Sequence, residues 1–172
     1  MSSPTSAGST LSDSKVAYVS LQAIGRAIRD LSRPTGTTTS FGPHGTSVED
    51  LYPIGRHAGE NWGKPPRLWP EVIAVTEALI GAAFAVAQAY LKTKAPRPPK
   101  AGDIDAVANY WKHRDEWRLP WADGTKDPHA LTEATIMRLG ATPPVKPGQL
   151  EELAQAVLGR PFDVDALWRV IA

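Results

Sequence analysis

The residues best equipped for chemistry lie between positions 52 and 62, in the stretch Tyr-Pro-Ile-Gly-Arg-His-Ala-Gly-Glu-Asn-Trp. Arg56, His57 and Glu60 fall within five residues there. A neutral imidazole takes up a proton near pH 7, a carboxylate can orient it, and a guanidinium stabilises an oxyanion or phosphate. Together they would suit a small hydrolytic or nuclease-like toxin, which is the catalytic alternative for this chain. Neighbours on a loop need not converge, however, and no HExxH, Walker loop, GxSxG or paired-histidine metal spacing occurs. The chain has no cysteine, which removes thiolate metal sites, disulfides and a Cys nucleophile. The 52–62 stretch therefore reads first as a polar surface loop, with no cofactor and no metal expected.

A second cluster points to recognition. Tyr110, Trp111, Trp117 and Trp121 interleave with Arg114 and Arg118. Residues 92–126 hold eight bases against five acids, a local surplus of +3. Aromatics beside cations stack on single-stranded nucleic acid and also anchor protein interfaces, while the plain alternative is packing within the fold. Residues 127–172 carry four bases and six acids, net −2. Affinity for DNA depends on neutralising phosphates, so a protein is the expected partner in preference to DNA. Self-association is left open.

Behind these clusters stands a breaker-rich chain of 172 residues with 14 Gly and 16 Pro, so long irregular stretches are expected. With Lys+Arg 19 and Asp+Glu 18 the formal charge is +1, which excludes a strongly basic or strongly acidic protein as a whole-chain description. The Ser/Thr-rich start lacks the basic and apolar regions of a secretory signal, so residues 1–14 are expected to form a flexible tail and the protein to be cytoplasmic. Abundant Ala, Gly, Pro and Arg fit a GC-rich genome of bacterial or phage type.

The first periodic stretch places Ala17, Leu21, Ile24, Ile28 and Leu31 on one helical stripe, with Ser12, Asp13 and Ser14 offering caps. Residues 34–68 show no sustained period and read as a loop. Within it, 37–41 could form a short strand, and 47–51 a helical turn through the Ser47/Asp50 spacing. The strongest helix runs from Pro70 to about Thr93. Its segment 72–91 is apolar apart from Thr76, Glu77 and Gln88, and Lys92, Lys94, Arg97 and Lys100 follow. That pattern fits a single membrane span, although Glu77 and the many alanines favour the core of a helical bundle. In that case Val75, Leu79, Ala82 and Val86 should face the 17–31 stripe.

Residues 96–102 form a Pro-rich hinge, dividing an N-terminal helical region (15–95) from a C-terminal bundle of short helices (103–172). In the latter, Asp103 is the expected cap of a helix carrying Ile104, Val107, Ala108 and Trp111, and Asp127–Pro128 opens a helix to about Leu139. Leu150, Leu153, Ala154 and Val157 share a face closed by Gly159. Asp163 caps a last helix bearing Val164, Leu167, Trp168 and Ile171.

Leu150, Leu153, Ala154 and Ala156 spell Leu-x-x-Leu-Ala-x-Ala, and Thr-Ile-Met-Arg-Leu at 135–139 precedes them across a Gly/Pro-containing loop. On these residues the stretch 130–171 resembles the later half of a Cro/repressor-type helix-turn-helix domain. The resemblance implies a DNA partner and a recognition helix ending near 135–139. The fold class expected overall is mainly α, a small helical bundle around one long apolar central helix, with a long irregular segment. The function expected is a non-enzymatic regulatory or interaction protein.

Overall fold

Ser12 opens the first helix, α1 (Asp13–Leu31), its carbonyl accepting the amides of Lys15 (2.9 Å) and Val16 (3.1 Å). The computed structural model describes residues 12–31, 36–42, 45–51, 70–114, 129–142 and 146–172. After α1 come β1 (Gly36–Gly42), β2 (Gly45–Leu51), α2 (Pro70–Leu91), α3 (Ala101–Lys112), α4 (Ala130–Arg138), α5 (Gln149–Leu158) and α6 (Val164–Ile171). The protein is mainly α-helical, a small bundle with α2 at its centre. Its core draws on α1 to α6 together, with Leu21, Phe84, Ile104, Ile136, Leu153 and Leu167 among the side chains fully removed from solvent.

The α1 stripe behaves as its period requires. Ala17, Leu21 and Leu31 are buried, and Ile24 and Ile28 pack against the core. Antiparallel packing on α2 follows from the ends: Leu31 meets Val72, while Ala17 and Tyr90 line one groove at the other end.

Two local expectations are corrected. Residues 47–51 are strand, not a helical turn: β1 and β2 pair antiparallel, from Gly36 opposite Leu51 to Gly42 opposite Gly45. A capping spacing satisfies one or two amides, whereas a ladder of seven facing residues pairs the backbone groups of alternate residues along the whole segment. The short strand expected at 37–41 falls within β1; it is its partner β2 that local pattern misread. Similarly, α3 starts at Ala101, two residues before the expected cap. Its Ala101 amide bonds Pro98 O at 3.0 Å, and Lys100 precedes it without a side-chain cap. Asp103 sits inside the first turn and pairs with Arg138 of α4. The Asp127–Pro128 signal lies outside the described residues.

On α2, Leu79 packs against Leu31 and Val86 lines a groove with Ala17 of α1 as expected, but the expected positions are not the most buried ones. Val75 is 39% exposed and Leu79, Ala82 and Val86 are only partly covered, while Ile80, Ala83, Phe84, Ala87 and Leu91 are buried. In a helix apolar on every side, period alone cannot choose the inward face. Specific contacts choose it. Gly81 lets the Trp111 indole of α3 lie against the α2 backbone. Gln88, also buried, donates to Asn109 Oδ1 at 2.9 Å and accepts from Lys112 Nζ. By length and composition α2 is able to cross a membrane; in this fold its inward face fills the core between α1 and α3.

Glu77, the carboxylate inside this apolar helix, has a structural task. Gly148 precedes α5 and has no side chain to cap it. Glu77 Oε1 takes that place from α2, accepting the amides of Gly148 (2.6 Å) and Leu150 (3.2 Å). A carboxylate there also complements the positive end of the helix. Replacing Glu77 by alanine should cost about 0.5–2 kcal/mol, the usual range for a lost N-cap. Urea denaturation measures it, and Glu77→Gln should retain part of the stability by keeping an acceptor oxygen.

The C-terminal helices end and begin as their sequences indicate. Gly159 adopts φ 72° to close α5, a left-handed conformation in which other residues are strained. Asp163 is extended and its carboxylate accepts the amides of Asp165 and Ala166, both at 3.3 Å. Phe162 then packs against Phe84 with ring centroids 6.3 Å apart.

Candidate functional site

The cationic-aromatic region begins at the C-terminal end of α3, and there the fold claims most of it. Tyr110 is 5% exposed and belongs to the core. Trp111 is half-buried against Gly81 of α2, and the Arg114 guanidinium stands over its ring, 4.2 Å from the centre. Arg114 is exposed, and its Nη1 reaches back to Trp111 O at 3.3 Å. Trp117, Arg118 and Trp121 lie outside the described residues, as do Arg56, His57 and Glu60.

The cations of 92–112 are largely engaged in holding helices. Lys94 Nζ donates to the carbonyls of Ile171 (2.8 Å) and Ala172, at the C-terminal end of α6. Lys100 Nζ donates to Val157 O at 2.5 Å, at the end of α5. Both place positive charge where the helix dipole is negative. Arg97 pairs with Asp105 at 2.7 Å, and Lys112 is bound to Gln88. The surplus that reads in sequence as an anion-binding footprint is thus, in four of its members, an internal set of caps and polar ties.

What the fold does present is apolar. Only Thr132 and Ile136 of α4 are buried. Ala130, Ala134 and Met137 align along its outer side with Leu131 beside them; Leu131 is 83% exposed and Met137 57%. Arg138 shares this exposed side, seven positions after Leu131, and binds Asp103, while Thr135 Oγ1 donates to Leu131 O at 2.9 Å. Sequence reasoning missed this face because Leu131 and Met137 look like core residues until the burial of Thr132 and Ile136 fixes which side turns inward.

A further pairing had no signal in the sequence. His113, at the end of α3, and His129, at the start of α4, bring their rings to 5.6 Å between centroids. They are sixteen positions apart, and only the docking of α3 on α4 joins them.

Comparison with protein-family models, with characterised proteins and with solved structures finds no match to this chain. Its function is therefore argued from its own geometry.

Proposed function

We propose that this chain is a non-enzymatic interaction protein of regulatory type whose partner is another protein, docking on the outer face of α4. The observation that carries this reading is the pair of exposed large apolar side chains on that face, Leu131 and Met137, with alanines between them. Isolated surface apolar residues are common, but two large ones flanking exposed alanines on a single helix make a patch that a hydrophobic groove can cover. Nucleic acid is less well served. A helix that reads bases presents hydrogen-bonding and cationic side chains to a groove, whereas Arg138 is paired with Asp103 and Thr135 with its own helix.

The test places a photo-reactive amino acid at Ala134 in the native cell and compares the chain with its Leu131→Glu, Met137→Glu form. The expected result is a discrete protein adduct that the two glutamates abolish. Thermal stability should change by less than about 0.5 kcal/mol, as for surface positions generally. Titration of mixed-sequence duplex DNA should show no salt-dependent binding. Adducts that survive both substitutions, or DNA affinity that falls steeply with salt, would replace this reading with the nucleic-acid one.

A further inference from the structure

We infer that a second copy of this chain docks on the face shared by α1 and α2, about a two-fold axis that crosses both helices. On α2 the side opposite Ile80, Phe84 and Leu91 carries Ala74, Ala78, Ala82, Ala85 and Ala89, all exposed or half-buried. On α1 the side next to it carries Val16, Ser20, Ala23 and Ala27. Val19 and Val75 extend the patch, at 54% and 39% exposure. A groove of about 260 Å³ joins the two helices, lined by Val16, Val86, Ala89 and Tyr90, with Asp13 and Thr93 beyond them. No charged side chain interrupts either stripe. A continuous apolar surface spread over two helices marks an interaction site, where scattered single residues do not.

Symmetry identifies the occupant. A two-fold contact brings the same patch of each copy together, so the patch must complement itself when reversed. Both stripes do. Reversed about positions 81–82, α2 sets Ala74 opposite Ala89 of the second copy and Ala78 opposite its Ala85. Reversed about positions 21–22, α1 sets Val16 opposite Ala27 and Ser20 opposite Ala23, a large side chain against a small one. The two midpoints are level, because Leu31 meets Val72 at one end of the helix pair and Val16 shares the groove with Ala89 at the other. One axis therefore serves both helices, a coincidence that docking of an unrelated protein would not require. Alanine facing alanine lets helix axes approach to about 8 Å, the close end of helix packing. A face about 20 Å long and two helices wide covers roughly 500–600 Å² per copy, by the rise and diameter of an α-helix. The total of about 1,000–1,200 Å² lies at the lower end for a specific contact, so monomer and dimer exchange in the micromolar range. The face is separate from the outer side of α4, which packs on α3 while α1 packs on α2 and α6.

The experiment follows the mass of the full chain by sedimentation equilibrium across the micromolar range. The average mass should rise from one chain towards two as concentration increases. Ala78→Lys and Ala85→Glu, each alone, should weaken association by about tenfold or more, since each places an unpaired charge in an apolar contact. Mixed together, the two variants should associate again, because the reversal sets position 78 against position 85. Circular dichroism on each variant checks that it is folded. Ala82→Cys disturbs the helix least, and the chain has no cysteine of its own. A disulfide needs Cα atoms within about 7 Å, so this thiol, beside the axis, should link two copies on mild oxidation far faster than Met137→Cys on α4. A mass that stays at one chain, self-association unchanged by either charge, a mixture no tighter than its components, or equal cross-linking at 82 and 137 would overturn the contact. So would sedimentation with phosphatidylcholine vesicles in place of self-association, which the length and apolarity of α2 permit.

Discussion

Phe84→Ala should lower the stability of the folded chain by about 3–5 kcal/mol, the range for emptying a phenylalanine site in a closed core. Phe84 is fully buried on α2, faces Phe162 at 6.3 Å, and lies in the cluster that joins α2, α3, α5 and α6. The neighbours belong to helices fixed elsewhere by caps and ion pairs, so they cannot close the cavity by a simple shift. Domains of this size are stable by only about 5–15 kcal/mol, and the variant should be partly unfolded at physiological temperature. Chemical denaturation followed by circular dichroism gives the number. A loss below about 1 kcal/mol would show that α2 does not sit with this face inward.

Gly81→Ala should destabilise the protein, against the usual direction for this change. In a helix interior alanine is favoured over glycine by roughly 0.5–1 kcal/mol. Here a methyl group at position 81 would lie 2.3 Å from both Cγ and Cδ2 of Trp111. Those atoms are near the root of the indole, and the Arg114 guanidinium also stands over the ring. The ring cannot swing away without separating α3 from α2. Overpacking of this kind costs roughly 1–3 kcal/mol, so the net effect is a loss. Trp111→Leu made together with Gly81→Ala should recover part of it, because the two changes meet at one contact and are not additive. If Gly81→Ala raises the melting temperature, the close approach of α2 and α3 is wrong.

These two sites show where the amino-acid sequence was readable and where it was not. The amphipathic helices α1, α5 and α6 were legible because each has polar residues on its outer side. Their stripes through Leu21, Leu153 and Leu167 are buried, Asp163 caps α6 through its carboxylate, and Gly159 ends α5 at positive φ. The apolar helix α2 was legible as a helix but only partly as an oriented one: Leu79 and Val86 do meet α1, while the deepest positions go to Ile80 and Phe84. The strand β2 was misread for the complementary reason, since its partner β1, not its own residue pattern, supplies its hydrogen bonds.

For the candidate sites the division is sharper. Composition and period by themselves determined a mainly helical chain with one long apolar helix, because helix formation follows from contacts three and four residues apart. They also located the cations of 92–114, but not their use. Lys94 and Lys100 cap α6 and α5, more than fifty residues further along the chain. Glu77 caps α5 from α2, and Tyr110 and Trp111 pack inside. Only the tertiary structure could decide these roles, since a charge, a ring or a methionine serves the fold or faces outward according to which distant helix lies against it. The same docking leaves Leu131 and Met137 in solvent and sets His113 beside His129.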